Sequence, residues 1–220
     1  MDMDSKQVSI QLKQELANSI SHGFGILFGI VGVPILIVAA ARAGDTAVAG
    51  AGIYGFCFLM VYTCSTLYHG LQHPEAKRVL KIIDHISIYF LIAGSYTPFV
   101  LLFVYNTTGL VLLGLLWGLA FAGIFFKIYH IGKRDRLSTA VYVLMGWMLI
   151  PVSDVFFAEL SRPVVALIIS GGVLYSIGVV FYLWRKFTYH HVVWHIFVLT
   201  ASICHYSAIL MAISQPVFDK

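Results

Sequence analysis

Charge is scarce in this sequence. Asp, Glu, Lys and Arg make up 11% of its 220 residues, against about 25% in an ordinary soluble domain, which excludes a soluble enzyme of ordinary composition. Cysteine is scarcer still: Cys57, Cys64 and Cys204 all fall inside apolar stretches, so there is no small disulfide scaffold and the three read as inert core thiols. Long polar tracts are missing too. No linker, low-complexity segment, soluble domain or internal repeat of solenoid or transporter type interrupts the chain. Apolar residues are what it has in excess, 60% of the total with a mean hydropathy of +0.88, and that excludes disorder. A polytopic membrane protein remains. The formal charge of +4 implies no nucleic-acid partner, because membrane proteins gather Lys and Arg on one side for topological reasons.

A spanning helix needs about 20 mostly apolar residues. Seven windows of that kind occur, at Gly23 to Ala41, Thr46 to Tyr68, Ile86 to Val104, Thr108 to Phe126, Leu137 to Ser153, Pro163 to Trp184 and Val192 to Ile213. The third and fourth are divided only by the turn-forming cluster Tyr105 to Gly109, and the fifth, the shortest, ends near Pro151. The expected fold is therefore all-α, a seven-transmembrane helix bundle in one unit over 23–213, with an N-terminal segment 1–22 and a tail 214–220. With seven spans, eleven Lys and Arg residues fall on the side of the N-terminus and three, Arg42, Arg162 and Lys220, on the other. That bias predicts a cytoplasmic N-terminus and an outside C-terminus. Residues 1–22 are polar and lack the apolar core of a cleaved signal, so they read as a cytoplasmic, amphipathic-helix segment before an uncleaved first span.

Polar groups in or beside spans cost free energy in hydrocarbon, so they are paired or functional. Ser65 and His69 lie four apart at the end of the second span, and Asp84 opens the third. His191 and His195 stand four apart at the start of the seventh, a spacing that lets two imidazoles on one helix bind one metal. Glu15, Asn18 and His22 share a face if their segment is helical. By the span count all of these fall at cytoplasmic helix ends, at one depth, although they come from four helices. Three neutral imidazoles there would leave a tetrahedral zinc with an open position for water, and a nearby carboxylate such as Asp84 would serve as base. Taken singly the residues have plainer readings: Asp84 as a helix N-cap, Ser65 bonding the carbonyl four residues back, and His205, some 15 Å deeper along its helix, as packing or support for the site. His73, His85, His130 and His190 read as interfacial.

The motifs Glu15-x-x-Asn18-x-x-x-His22, Ser65-x-x-x-His69 followed by Asp84, and His191-x-x-x-His195 resemble those of the hemolysin III family. This is the bacterial branch related to the progestin and adipoQ receptors, including the adiponectin receptors, and more distantly to the alkaline ceramidases. Ala93 to Phe99 and Met145 to Trp147 are similar to the family as well, and the likeness covers essentially the whole chain. It implies Zn2+ on His69, His191 and His195, with Asp84 and Ser65 beside the open position; Glu15, Asn18, His22 and His205 read as support for the ligands. It also implies a multi-pass protein of the bacterial plasma membrane.

Three functions compete. The first is a zinc-dependent hydrolase of a lipid acyl amide or ester, serving membrane lipid homeostasis, with membrane lipids or a fatty-acyl substrate as partner. The second is a non-enzymatic sensor or zinc-related transporter. The third is a cytolysin, disfavoured because the chain is too apolar to be released in soluble form. Glycines at 25, 29 and 32 and at 171, 172 and 178 fit close packing within one chain and a homo-oligomer equally well.

Overall fold

A computed structural model describes residues 3–130 and 132–214. The 215–220 tail, with Lys220, lies outside the described residues. The chain folds as α1 (Met3–Ala41), α2 (Asp45–Gly70), α3 (Pro74–Phe103), α4 (Thr107–His130), α5 (Asp135–Gly146), α6 (Ser153–Phe157), α7 (Arg162–Leu183) and α8 (His190–Ile213), with no strand among the described residues. Seven segments are long and apolar enough to cross a membrane, α5 and α6 together making the fifth. Helix α1 packs on α2 and α8, α2 on α3, α3 on α4, and α7 on α8. Large apolar side chains such as Leu27, Val31, Val38, Leu115 and Phe125 point outward, the pattern expected where the surrounding solvent is lipid. Inside, several tyrosine hydroxyls are paired: Tyr62 and Tyr175 both meet the Ser202 hydroxyl, at 2.7 and 2.6 Å, and Tyr206 donates to the Gly32 carbonyl at 2.8 Å.

Two elements begin earlier than the charge-free windows suggest. Residues 3–22 are helical and run without interruption into the first span, and α3 starts at Pro74, twelve residues before the apolar window. Proline is favoured in the first helical turn, where its missing N–H costs nothing. The N-cap of α3 is His73, so the N-cap reading of Asp84 is corrected: Asp84 sits well inside the helix, and its carboxylate faces the bundle.

The fifth span is broken. Pro151 has no N–H, and its ring disfavours a helical carbonyl at Trp147, four residues back. Helix α5 accordingly stops at Gly146, and the chain continues through a 3-10 turn, Ile150–Val152, into α6. The Gly146 carbonyl is taken by the Tyr96 hydroxyl at 2.7 Å, and the Trp147 indole N–H donates to the Ser176 hydroxyl at 2.9 Å.

Helices α2 and α3 approach closely at Gly50. A Cβ there would lie 2.9 Å from the Pro98 Cα, which is backbone and cannot rotate aside. Gly50→Ala is expected to destabilise the bundle by about 1–3 kcal/mol, read as a lowered midpoint in thermal unfolding of the detergent-solubilised protein; an unchanged midpoint would mean the two helices are free to separate.

Candidate metal centre

At one end of the bundle α1, α2, α3 and α8 bring together residues far apart in sequence. His69 closes α2, while His191 and His195 occupy the first two turns of α8. Their rings lie 5.2 Å (His69 to His191), 5.1 Å (His69 to His195) and 4.6 Å (His191 to His195) apart between centroids. Each offers one ligand atom, and these atoms all lie within 4.8 Å of one another. Zinc–nitrogen bonds of 2.0–2.1 Å in a tetrahedron set nitrogens about 3.4 Å apart, so the widest pair needs to close by no more than about 1.5 Å.

Hydrogen bonds decide which nitrogen two of the three imidazoles present. The Nδ1 of His69 lies 3.1 Å from Glu15 Oε2. A carboxylate only accepts, so Nδ1 carries the proton and Nε2 keeps its lone pair. That Nε2 is buried and finds no hydrogen-bond partner among the described residues. Glu15 is itself held by the Lys77 ammonium at 2.6 Å, and Lys77 also donates to the Tyr68 carbonyl. His195 is arranged alike: its Nδ1 donates to the Asn18 carbonyl at 3.2 Å and meets the Ser21 hydroxyl at 3.1 Å, leaving Nε2 as the free acceptor. Oriented imidazoles of this kind, backed by a carboxylate or carbonyl, are the usual support of metal ligands. The donor set fits a divalent metal such as zinc on these grounds: three neutral nitrogens, one of them an orphaned buried lone pair.

Asp84 on α3 is buried. Its carboxylate has the Ser65 hydroxyl as a hydrogen-bonding neighbour, with His85 Nδ1 at 3.8 Å; His85 also donates to the Lys81 carbonyl. Ser65, His69, Asp84, His191 and His195 all line one cavity of about 650 Å³, within the range of small-molecule sites. Gln11, Gln14, Arg185 and Thr188 line it beside the cluster's helix ends, and it reaches between α3, α5, α7 and α8 to Ser95, Trp147 and Gly172. His205 lies in this inner part, its Nε2 donating to the Ile168 carbonyl at 3.2 Å and its ring against Tyr175, about 15 Å further along α8 than His195. Glu15, Asn18 and His22 all line the outer part; His22 stacks on the His195 ring, with centroids 3.6 Å apart.

Sequence reasoning missed Ser21, Lys77 and His85 as neighbours of the site. Ser21 is three residues from Asn18 and one from His22, so a complete reading of that helical face would have included it. Lys77 sits in a run of surface charge and carries no local signal.

The model of the haemolysin-III related family matches residues 10–206. The chain is 42% identical over 200 residues to a Hemolysin-3 homolog of Bacillus subtilis, covering 90% of this chain and 94% of the relative. It is 38% identical to Hemolysin-3 of Bacillus cereus, covering 90% and 91%. The human monocyte to macrophage differentiation factor is similar at 27% identity, over 89% of this chain and 83% of that protein. An all-helical bundle with seven membrane-length apolar segments, matched over nearly its whole length by this family, belongs to the haemolysin-III related membrane proteins.

Proposed function

We propose that this protein is a zinc-dependent hydrolase of an acyl amide or ester in a membrane lipid, acting in membrane lipid homeostasis. The observation that carries the reading is the joining of the buried cluster His69, His191 and His195 to a buried carboxylate, Asp84, in one cavity that continues between the helices. The three imidazoles would hold the metal. When bound, zinc supplies Lewis acidity that polarises a carbonyl and acidifies water. Glu15 and the Asn18 carbonyl keep the Nε2 ligand nitrogens unprotonated by accepting hydrogen bonds from the Nδ1–H groups of His69 and His195. Asp84 accepts a proton from the attacking water and passes it to the leaving nitrogen or oxygen as the acyl bond breaks, so that water and amide become acid and amine. Ser65, against the Asp84 carboxylate, orients it. The inner part of the cavity, lined by Ile88, Leu91, Ile92, Val143 and Val179, is suited to an acyl chain.

The reading includes the orientation implied by the Lys and Arg bias, with the cluster at the cytoplasmic rim of the bacterial plasma membrane. Transporters set their ionisable groups near mid-membrane, between repeated halves; here the cluster sits at helix ends.

Metal content tests the reading. Mass spectrometry of detergent-purified protein is expected to give about one zinc per chain, lost in His191→Ala and His195→Ala. Asp84→Asn is expected to retain the zinc while turnover of acyl amides and esters falls by roughly 100-fold or more. A metal-free wild type purified without chelator would overturn the zinc centre. Full turnover in Asp84→Asn would remove Asp84 from the chemistry.

A further inference from the structure

Three buried polar atoms beside the cluster find no hydrogen-bond partner among the described residues: Asn18 Oδ1, His22 Nδ1 and His22 Nε2. Their residues are 5% and 4% exposed, both line the cavity, and at i and i+4 on α1 they share one face. A buried polar group left unpaired bears its full desolvation penalty, so native structures pair such groups or keep them for a ligand.

His22 is not accounted for as a metal ligand. The ligand atoms that converge come from His69, His191 and His195, while the His22 ring stacks on His195 with planes 28° apart and meets Tyr62 edge-on at 5.0 Å. Packing on both sides fixes the ring and leaves its nitrogens over. On Asn18 the work of holding His195 falls to the backbone carbonyl, which also accepts from Ser21 at 2.8 Å, so the side-chain oxygen is similarly left over. The inventory is specific: a neutral imidazole has one donor and one acceptor in either tautomer, and the Asn18 oxygen only accepts. The seat therefore offers two acceptors and one donor. An ester brings acceptors only. A secondary amide brings an N–H as well as a carbonyl.

We propose that Asn18 and His22 form a hydrogen-bonding seat beside the three-histidine cluster for the N–H of an acyl amide, and that this seat selects amides over esters. The inference rests on the acyl-hydrolase reading and names its substrate class.

Binding of three matched probes tests it: the N-propyl amide of a sixteen-carbon fatty acid, its N-methyl-N-propyl amide, and the propyl ester. Affinities are measured by thermophoresis on detergent-purified Asp84→Asn protein, so that turnover does not consume the probe. The N–H amide is expected to bind about 10-fold tighter than the other two, since a site built to bond an N–H rejects analogues that lack it. Adding Asn18→Leu, which keeps volume, or His22→Phe, which keeps the stack, is expected to bring the ratio toward one with zinc content unchanged. Equal affinities for the three probes would mean that ordered water fills the seat and would overturn the proposal. A preference surviving in both added variants, or no binding of any probe, would overturn it too. Should either added variant fail to fold, the three-probe ratio without it still decides. Failure of the hydrolase reading looks different: no zinc or no turnover in the wild type, with the amide preference intact.

Discussion

Glu15→Ala is expected to lower the zinc affinity of the purified protein by roughly 10- to 100-fold while leaving all three imidazoles in place, the usual cost of removing a ligand's hydrogen-bonded support. The carboxylate does two things. It takes the His69 Nδ1 proton at 3.1 Å, which keeps the Nε2 lone pair available, and it neutralises Lys77 at 2.6 Å. Without it His69 is free to adopt the other tautomer, with Nε2 blocked by a proton, and an unpaired ammonium remains nearby to repel a cation. Glu15→Gln keeps an acceptor but loses the charge, so its affinity is expected to fall between wild type and Glu15→Ala. Competition against a chromophoric chelator measures all three. Wild-type affinity in Glu15→Ala would show that packing alone orients His69.

The second large effect lies at the junction of α4 and α5. Lys127 Nζ stands 3.4 Å from Asp135 Oδ1, with side chains 1% and 19% exposed, and approaches the Tyr142 ring at 6.0 Å. Breaking a buried ion pair by deleting one partner costs about 3–5 kcal/mol, because the other charge is stranded. Asp135 is partly wet, so Asp135→Ala is expected near the lower end, about 3 kcal/mol. For a chain of this size that is a fall in unfolding midpoint of roughly 6–12 °C. Replacing both charges at once, Lys127→Met with Asp135→Leu, is expected to restore most of the loss, since hydrophobic substitutes for such pairs are often neutral or better. Equal destabilisation in the single and double variants would assign the effect to packing rather than to a stranded charge.

The three histidines were legible because two independent patterns pointed at them. An i, i+4 pair gave one helix face, and the alternation of spans put His69 at the same depth. Glu15, Asn18 and His22 were legible as a face for the same geometric reason. What escaped was set by long-range packing: Ser21 meets His195 across 174 positions, and Lys77 reaches Glu15 across 62. The start of α3 escaped because a charge-free window measures hydrocarbon, whereas a helix can run on through its charged end past the membrane's edge. That same error made Asp84 look like a cap. The break in the fifth span was latent in Gly146 and Pro151, but locating it requires the carbonyl accounting at Trp147 and Gly146 rather than hydropathy.

The order in which the chain is made gives the Glu15–His69–Lys77 trio a second importance. His69 leaves the ribosome about 120 residues ahead of His191, which at ordinary synthesis rates is a wait of ~6–24 s. Throughout that interval the half-built membrane protein has no ligand set, yet Glu15 and Lys77 lie on α1 and at the start of α3, close enough in sequence for Glu15 to give His69 its hydrogen bond and for Lys77 to balance the Glu15 charge at once. The first three helices thus keep one of the three histidines in order with partners of their own, and α8 completes the cluster by docking last. A chain that stops short of α8 lacks both His191 and His195, so the three-histidine cluster is complete only once the final helix has docked.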